Sequence, residues 1–156
     1  MAIVASHAEV ERIIREELDN LRERVVQNID STGKRASGRT QDSLAVEITS
    51  QGDTIIGSLM GRSYFGALET GSKPWANQYT RPPKFFIEII EDWMRDKGIS
   101  GSAGGIAYSI MKRGSAQFRD GERTDVYSDE IEITYDNIQR RVGGLFEAQI
   151  IESLLR

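Results

Sequence analysis

Val10, Ile14, Leu18, Leu21, Val25 and Ile29 recur at steps of three or four, with Glu, Arg and Asn between them. That spacing places one apolar stripe along an amphipathic helix. Ser6 and Glu9 stand at capping-box spacing, where a hydroxyl and a carboxylate satisfy each other's first-turn amides, so the helix is predicted to begin there and run to about Ile29. Asp30, Ser31, Thr32 and Gly33 stop it, and the polar, basic stretch from Lys34 to Arg39 is predicted as a connection.

A change of period follows. Leu44, Val46 and Ile48 alternate with Ala45, Glu47 and Thr49, the pattern of a half-buried strand. Ser50 to Asp53 reads as a turn and Thr54 to Met60 as a second β-branched run, giving an antiparallel hairpin over about 42–61. Between Tyr64 and Gly71, Phe65 and Leu68 share one face of a short helical turn that Gly71 is expected to close in the left-handed conformation. Phe65 is assigned to the core on that pairing.

Pro82 and Pro83 open the next helix, since a first-turn proline lacks only an amide proton that has no helical partner. Its apolar face is predicted as Phe86, Ile89, Ile90, Trp93 and Met94, and Lys97-Gly98 ends it. Ser100 to Gly105 reads as a flexible joint before a short helix carrying Ile106, Ala107, Ile110 and Met111 and ending at Gly114. Helical periodicity returns from about Ile138 through Val142, Leu145, Phe146, Gln149, Ile150 and Leu154. The fold expected is a single α+β domain over residues 1–156. A small antiparallel sheet is flanked by the N- and C-terminal helices, which pack on it, with two shorter helices between. Connections near 31–41, 71–81, 99–105 and 114–128 are expected to be mobile, and the acidic stretch to Asp136 is expected to order when neighbours arrive.

Length and composition agree with one globular domain: 156 residues, 38% hydrophobic and 28% charged. Cysteine is absent, so no disulfide framework or thiolate metal site is available. The first residues lack a basic start and a long apolar core, so export is not expected, and no apolar run in the sequence approaches the roughly 20 residues of a spanning helix, so no membrane partner is expected. A net charge of -4 and a pI of about 5.1 do not suit a broad phosphate-binding face, and nucleic acid is not expected as a main partner.

Candidate chemistry is sparse. His7 is the one histidine, which removes histidine-based triads and multi-histidine metal centres. Gly101–Gly105 and Gly33-Lys34 both fail the spacing of a phosphate-binding loop. No catalytic residue, metal or cofactor is assigned. Lys34, Arg35 and Arg39 form a basic cluster, and Asp120 to Asp136 carries Asp125, Asp129, Glu130 and further carboxylates against Arg123 alone. Opposite patches on one subunit can meet head to tail. Tyr64, Trp75 and Tyr79 lie in a loop-rich window, and aromatics give large contact area for few frozen torsions. Trp75, between Pro74 and Ala76, is the foremost interface residue of that group.

Taken in order, Ala36 to Thr40 with Ser43-Leu44, Tyr64-Phe65 with Leu68-Glu69-Thr70-Gly71, Pro82-Pro83, and Trp93 to Ile99 resemble the tail-completion and head-to-tail connector (neck) proteins of long-tailed bacteriophages. The resemblance covers roughly Ala36 to Gly114. It implies a non-enzymatic virion subunit, present in the host cytoplasm during assembly. Such a subunit forms a homo-oligomeric ring and touches neighbouring connector or tail-tube proteins. The competing expectation is an enzyme or nucleic-acid-processing protein with a cleft around Arg39, Tyr64 and Glu69. A third is a bacterial adaptor unrelated to phage.

Overall fold

The computed structural model describes residues 7–62, 65–75, 79–121 and 123–155, so Ser6 of the expected capping box and Tyr64 lie outside the described residues. The chain is α+β. Helix α1 (His7–Ser31) leads through the one-turn α2 (Arg39–Asp42) into strands β1 (Ala45–Gln51) and β2 (Thr54–Met60). The one-turn α3 (Ala67–Thr70) then precedes α4 (Lys84–Lys97), α5 (Ala103–Arg113), the short α6 (Ala116–Asp120) and the long α7 (Ser128–Leu154). None of the described helices is long and apolar enough to cross a membrane.

The hairpin forms where the alternation placed it, with Gln51 opposite Thr54 and Ala45 opposite Met60. Gly52, at φ 58, supplies the left-handed turn residue. Its inner face lies on α1. A methyl group at Gly57 would stand 2.6 Å from Ile14 Cγ2 and from Leu18 Cδ1, so glycine lets the helix approach the strand closely.

Two apolar clusters hold the chain together. The first joins Leu18, Leu21, Val25 and Ile29 of α1 to Leu44 and Val126, with Phe65, Leu68 and Tyr127 packed against it. Phe65 therefore meets the core as its pairing with Leu68 suggested, and its ring lies 5.0 Å from that of Tyr127. Ile13 is buried as well, outside the stripe read from the sequence. The second cluster is local to α4 and α5: Ile90, Met94, Ala103 and Ala107, with Phe86, Ile87, Ile106 and Ile110 around them.

Several boundaries differ from expectation. The last helix starts at Ser128, well before Ile138, and packs along α1, which itself carries the hairpin. Ser102 caps α5 by accepting from the Gly105 amide, so Gly104 and Gly105 are helical and not part of a joint. A one-turn helix at Arg39 and a short one at Ala116 occupy stretches read as connections. Gly71 has the positive φ expected, 69°, but ψ is -175°, outside the left-handed helical region. Gly98 does cap α4 in that region, at φ 65 and ψ 29. On α4, Ile89 and Trp93 were expected inside, yet they stay 56% and 38% exposed because Ile90 and Met94 face α5.

Candidate functional site

Glu69 is the most buried carboxylate of the described chain, at 2% exposure. Its Oε1 accepts from the backbone amides of Val126, Tyr127 and Ser128 at 2.9, 2.6 and 3.0 Å, and its Oε2 accepts from the Ser128 hydroxyl at 2.5 Å. One side chain thus takes the amide of Ser128, the first residue of α7, and the two amides just before it, and its negative charge sits at the positive end of the helix dipole. Burial pushes the Glu69 carboxyl up. The hydrogen bond from the Ser128 hydroxyl and those from the amides of Tyr127, Ser128 and Val126 outweigh it and hold the group below the usual carboxylate range. The turn at residues 65–71 is built to deliver this carboxylate, and α7 begins early because it does.

Ser72 and Trp75 are bonded to the end of α5 and its junction with α6. Ser115 donates its amide to the Ser72 carbonyl at 2.9 Å, Ser72 donates to the Ser115 hydroxyl at 2.9 Å, and Trp75 donates to the Met111 carbonyl at 2.9 Å. Glycine is required for that approach, since a methyl group at Gly71 would lie 2.4 Å from the Phe118 amide nitrogen. Trp75 is thereby held against α4. Its ring centroid is 4.7 Å from that of Phe86, 5.7 Å from that of Tyr79 in an edge arrangement, and 6.5 Å from that of Phe85. Tyr79 and Phe85 remain exposed at the outer side of this cluster. Trp75 is therefore half-buried, a platform for the exposed rings.

The basic cluster pairs within the chain, with Lys34 partly buried and Arg35 and Arg39 exposed. Lys34 donates to the Gln117 side chain at 2.6 Å, Arg35 pairs with Asp30 at 3.3 Å, and Arg39 reaches Asp96 at 3.4 Å and the Ser37 hydroxyl at 2.8 Å. Lys97 donates to the Gly33 carbonyl at 2.5 Å. Partial burial, together with the nearby positive charge of Arg123, lowers the Lys34 pKa despite the opposing pull of Asp125. These contacts tie the end of α1 to α4 and α6. Arg39 and Glu69 serve different elements, Arg39 pairing with Asp96 of α4 and Glu69 binding the start of α7.

The acidic candidates divide. Glu130 faces α1, where Arg24 donates to it at 2.6 Å and Asn28 at 3.2 Å. Asp125 chelates Arg123 on the same loop. Asp129 is exposed at the start of α7 with no ion pair among the described residues. Further along the α1–α7 seam, Glu17, 6% exposed, accepts from Arg141 at 2.7 Å, and Arg141 also meets Glu16 at 2.5 Å. The hydrogen bonds from Arg141, then Arg12, hold the Glu16 carboxyl below its ordinary range.

Apolar side chains are exposed at the end of α7, and an open apolar groove lies beside α1. Phe146, Ile150, Ile151 and Leu154 are exposed on the last turns of α7, as is Leu155 just past its end. Leu18, Leu21, Leu59, Phe65, Tyr127 and Ile131 line an open apolar groove of about 230 Å³. Among the described residues, no group of histidine, cysteine or carboxylate side chains is arranged to hold a metal ion. Comparison with family models, curated proteins and solved structures finds no match.

Proposed function

We propose that this chain is a non-enzymatic structural subunit of a phage virion. It completes or caps the tail, or joins head to tail, as one copy in a homo-oligomeric ring contacting neighbouring connector or tail-tube proteins. It acts in the host cytoplasm during assembly and persists in the particle. No cofactor takes part. The observation that carries this reading is the exposed apolar surface, which recurs on Tyr79 and Phe85, on Ile89 and Trp93, and along Phe146 to Leu155. Contiguous exposed apolar area on a folded chain marks interaction sites. The order of the segments from Ala36 to Gly114, which resembles the connector proteins, points the same way.

Solution mass by light scattering, followed by electron microscopy of any rings, tests the proposal. The expected result is a discrete oligomer, and mass spectrometry of purified particles finds the chain among the virion proteins. A strict monomer at high concentration, together with absence from particles, overturns it.

A further inference from the structure

From Gly71 to Ile87 the chain carries Lys73, Arg81 and Lys84 and no carboxylate. All three cations are exposed, and Lys73 and Arg81 form no ion pair among the described residues. Lys84 meets Glu88 one turn along at 3.6 Å, with its own side chain 91% exposed. In sequence these charges flank Tyr79 and Phe85, whose exposed rings stand around Trp75. Surface of this kind, aromatic at the centre and cationic at the rim, fits an acidic partner with apolar side chains of its own.

The same chain offers such a surface. From Thr124 to Gln139 there is no lysine or arginine. Glu130, Thr134 and Arg141 of α7 face α1 through hydrogen bonds with Arg24, Glu16 and Glu17. Asp129, Glu132, Ile133 and Asp136 follow the helical period on the opposite side, and all four are exposed. The three carboxylates make no ion pair among the described residues, and Ile133 lies bare among them. α4 packs on α5 while α7 packs on α1, so the two surfaces belong to different packing units.

We infer that the cationic aromatic surface of Lys73, Tyr79, Arg81, Lys84 and Phe85 docks on the acidic outer face of α7, Asp129 to Asp136, of a second copy of this chain. Because the two faces differ, the contact is heterologous, and repeated application closes a ring where the rotation permits. The net charge of -4 opposes a nucleic-acid occupant of the cationic face, whereas the α7 face supplies matching charge and an apolar centre. This inference rests on the ring reading above and names the two faces that such a ring joins. It also moves the head-to-tail contact away from Lys34, Arg35 and Arg39, whose side chains already have partners within the subunit.

Charge reversal tests it in the full-length chain. Lys73→Glu, Arg81→Glu and Lys84→Glu together weaken self-association by on the order of tenfold to a hundredfold, read from the concentration dependence of mass by light scattering. Asp129→Lys, Glu132→Lys and Asp136→Lys together do the same. Mixing the two triple variants, or combining all six changes in one chain, restores the oligomer, an outcome that misfolding does not produce. Arg35→Glu with Arg39→Glu leaves the association constant unchanged. An oligomeric wild type that is indifferent to both triple reversals overturns this contact and leaves the ring reading standing. A wild type that stays monomeric overturns the ring reading and the contact with it. Binding of a single-stranded oligonucleotide that the cation reversal abolishes, with the oligomer intact, also overturns the inference.

Discussion

Ser128 gives Glu69 both of its donors, the backbone amide at 3.0 Å to Oε1 and the hydroxyl at 2.5 Å to Oε2, across 59 residues of chain. A cap normally comes from the residue next to the helix. Here a remote turn provides it, and Tyr127, which occupies the cap position, forms no side-chain cap bond.

Glu69→Ala leaves the Val126, Tyr127 and Ser128 amides without their acceptor and should cost about 2–4 kcal/mol, near the upper range for losing a buried charged acceptor. Glu69→Gln keeps the shape but loses the charge, and costs less. Because the native pKa is depressed, the contribution of Glu69 is complete above the ordinary glutamate value of about 4.3 and disappears as the pH falls through the lower native value. Urea unfolding of wild type and Glu69→Gln between neutral and acid pH checks this: the gap between them narrows on acidification. A constant gap sinks the assignment.

Arg141 is the charged partner of the buried Glu17, which keeps only Asn137 as a donor without it, so Arg141→Ala should cost about 1–3 kcal/mol. Replacing both members, Glu17→Leu with Arg141→Met, should recover most of the loss. A double variant less stable than Arg141→Ala would mean that Glu17 is not the residue left exposed to the penalty.

Gly71→Ala forces a methyl group against the Phe118 backbone at 2.4 Å, whereas Gly98→Ala meets nothing within 4 Å and incurs only the strain of its φ of 65°. The second change should cost about 1 kcal/mol and the first clearly more, separated by several degrees in melting temperature. Equal losses would show that the loop relaxes away from α6.

Ile89 and Ile90 are adjacent and chemically identical, yet one is 56% exposed and the other 7%. Ile89→Glu should change stability by no more than about 0.5 kcal/mol, while Ile90→Glu buries a charge between α4 and α5 and should cost more than about 3 kcal/mol. Chemical denaturation of the pair decides it.

That contrast shows where sequence reading reaches its limit. The hairpin was legible because alternation and a two-residue turn are local, and α1 because its stripe is long. Which side of α4 meets α5 depends on a helix that follows a joint, and periodicity gives a stripe too wide to choose between Ile89 and Ile90. The start of α7 was hidden for a different reason. Residues 128–136 are rich in carboxylates and read as an acidic surface that orders on contact with neighbours, and the group that binds the start of the helix is Glu69, far away in sequence. Trp75 and Tyr79 could be singled out from their setting, but Phe85, on the helix that follows, was in neither the predicted apolar face nor the interface group.

The separation of the α4–α5 cluster from the α1 core bears on cooperativity. Local opening of α4 and α5 breaks the small cluster together with the Arg39–Asp96 pair and the Trp75 amide bond to Met111, while α1, the hairpin and α7 keep theirs. Amide hydrogen exchange should therefore resolve two classes of protection, with α4 and α5 exchanging through a subglobal opening of lower free energy than the α1 core. The surface that carries Tyr79 and Phe85 rides on the less protected unit, so occupancy of that surface should raise the protection of α4 and α5 in particular.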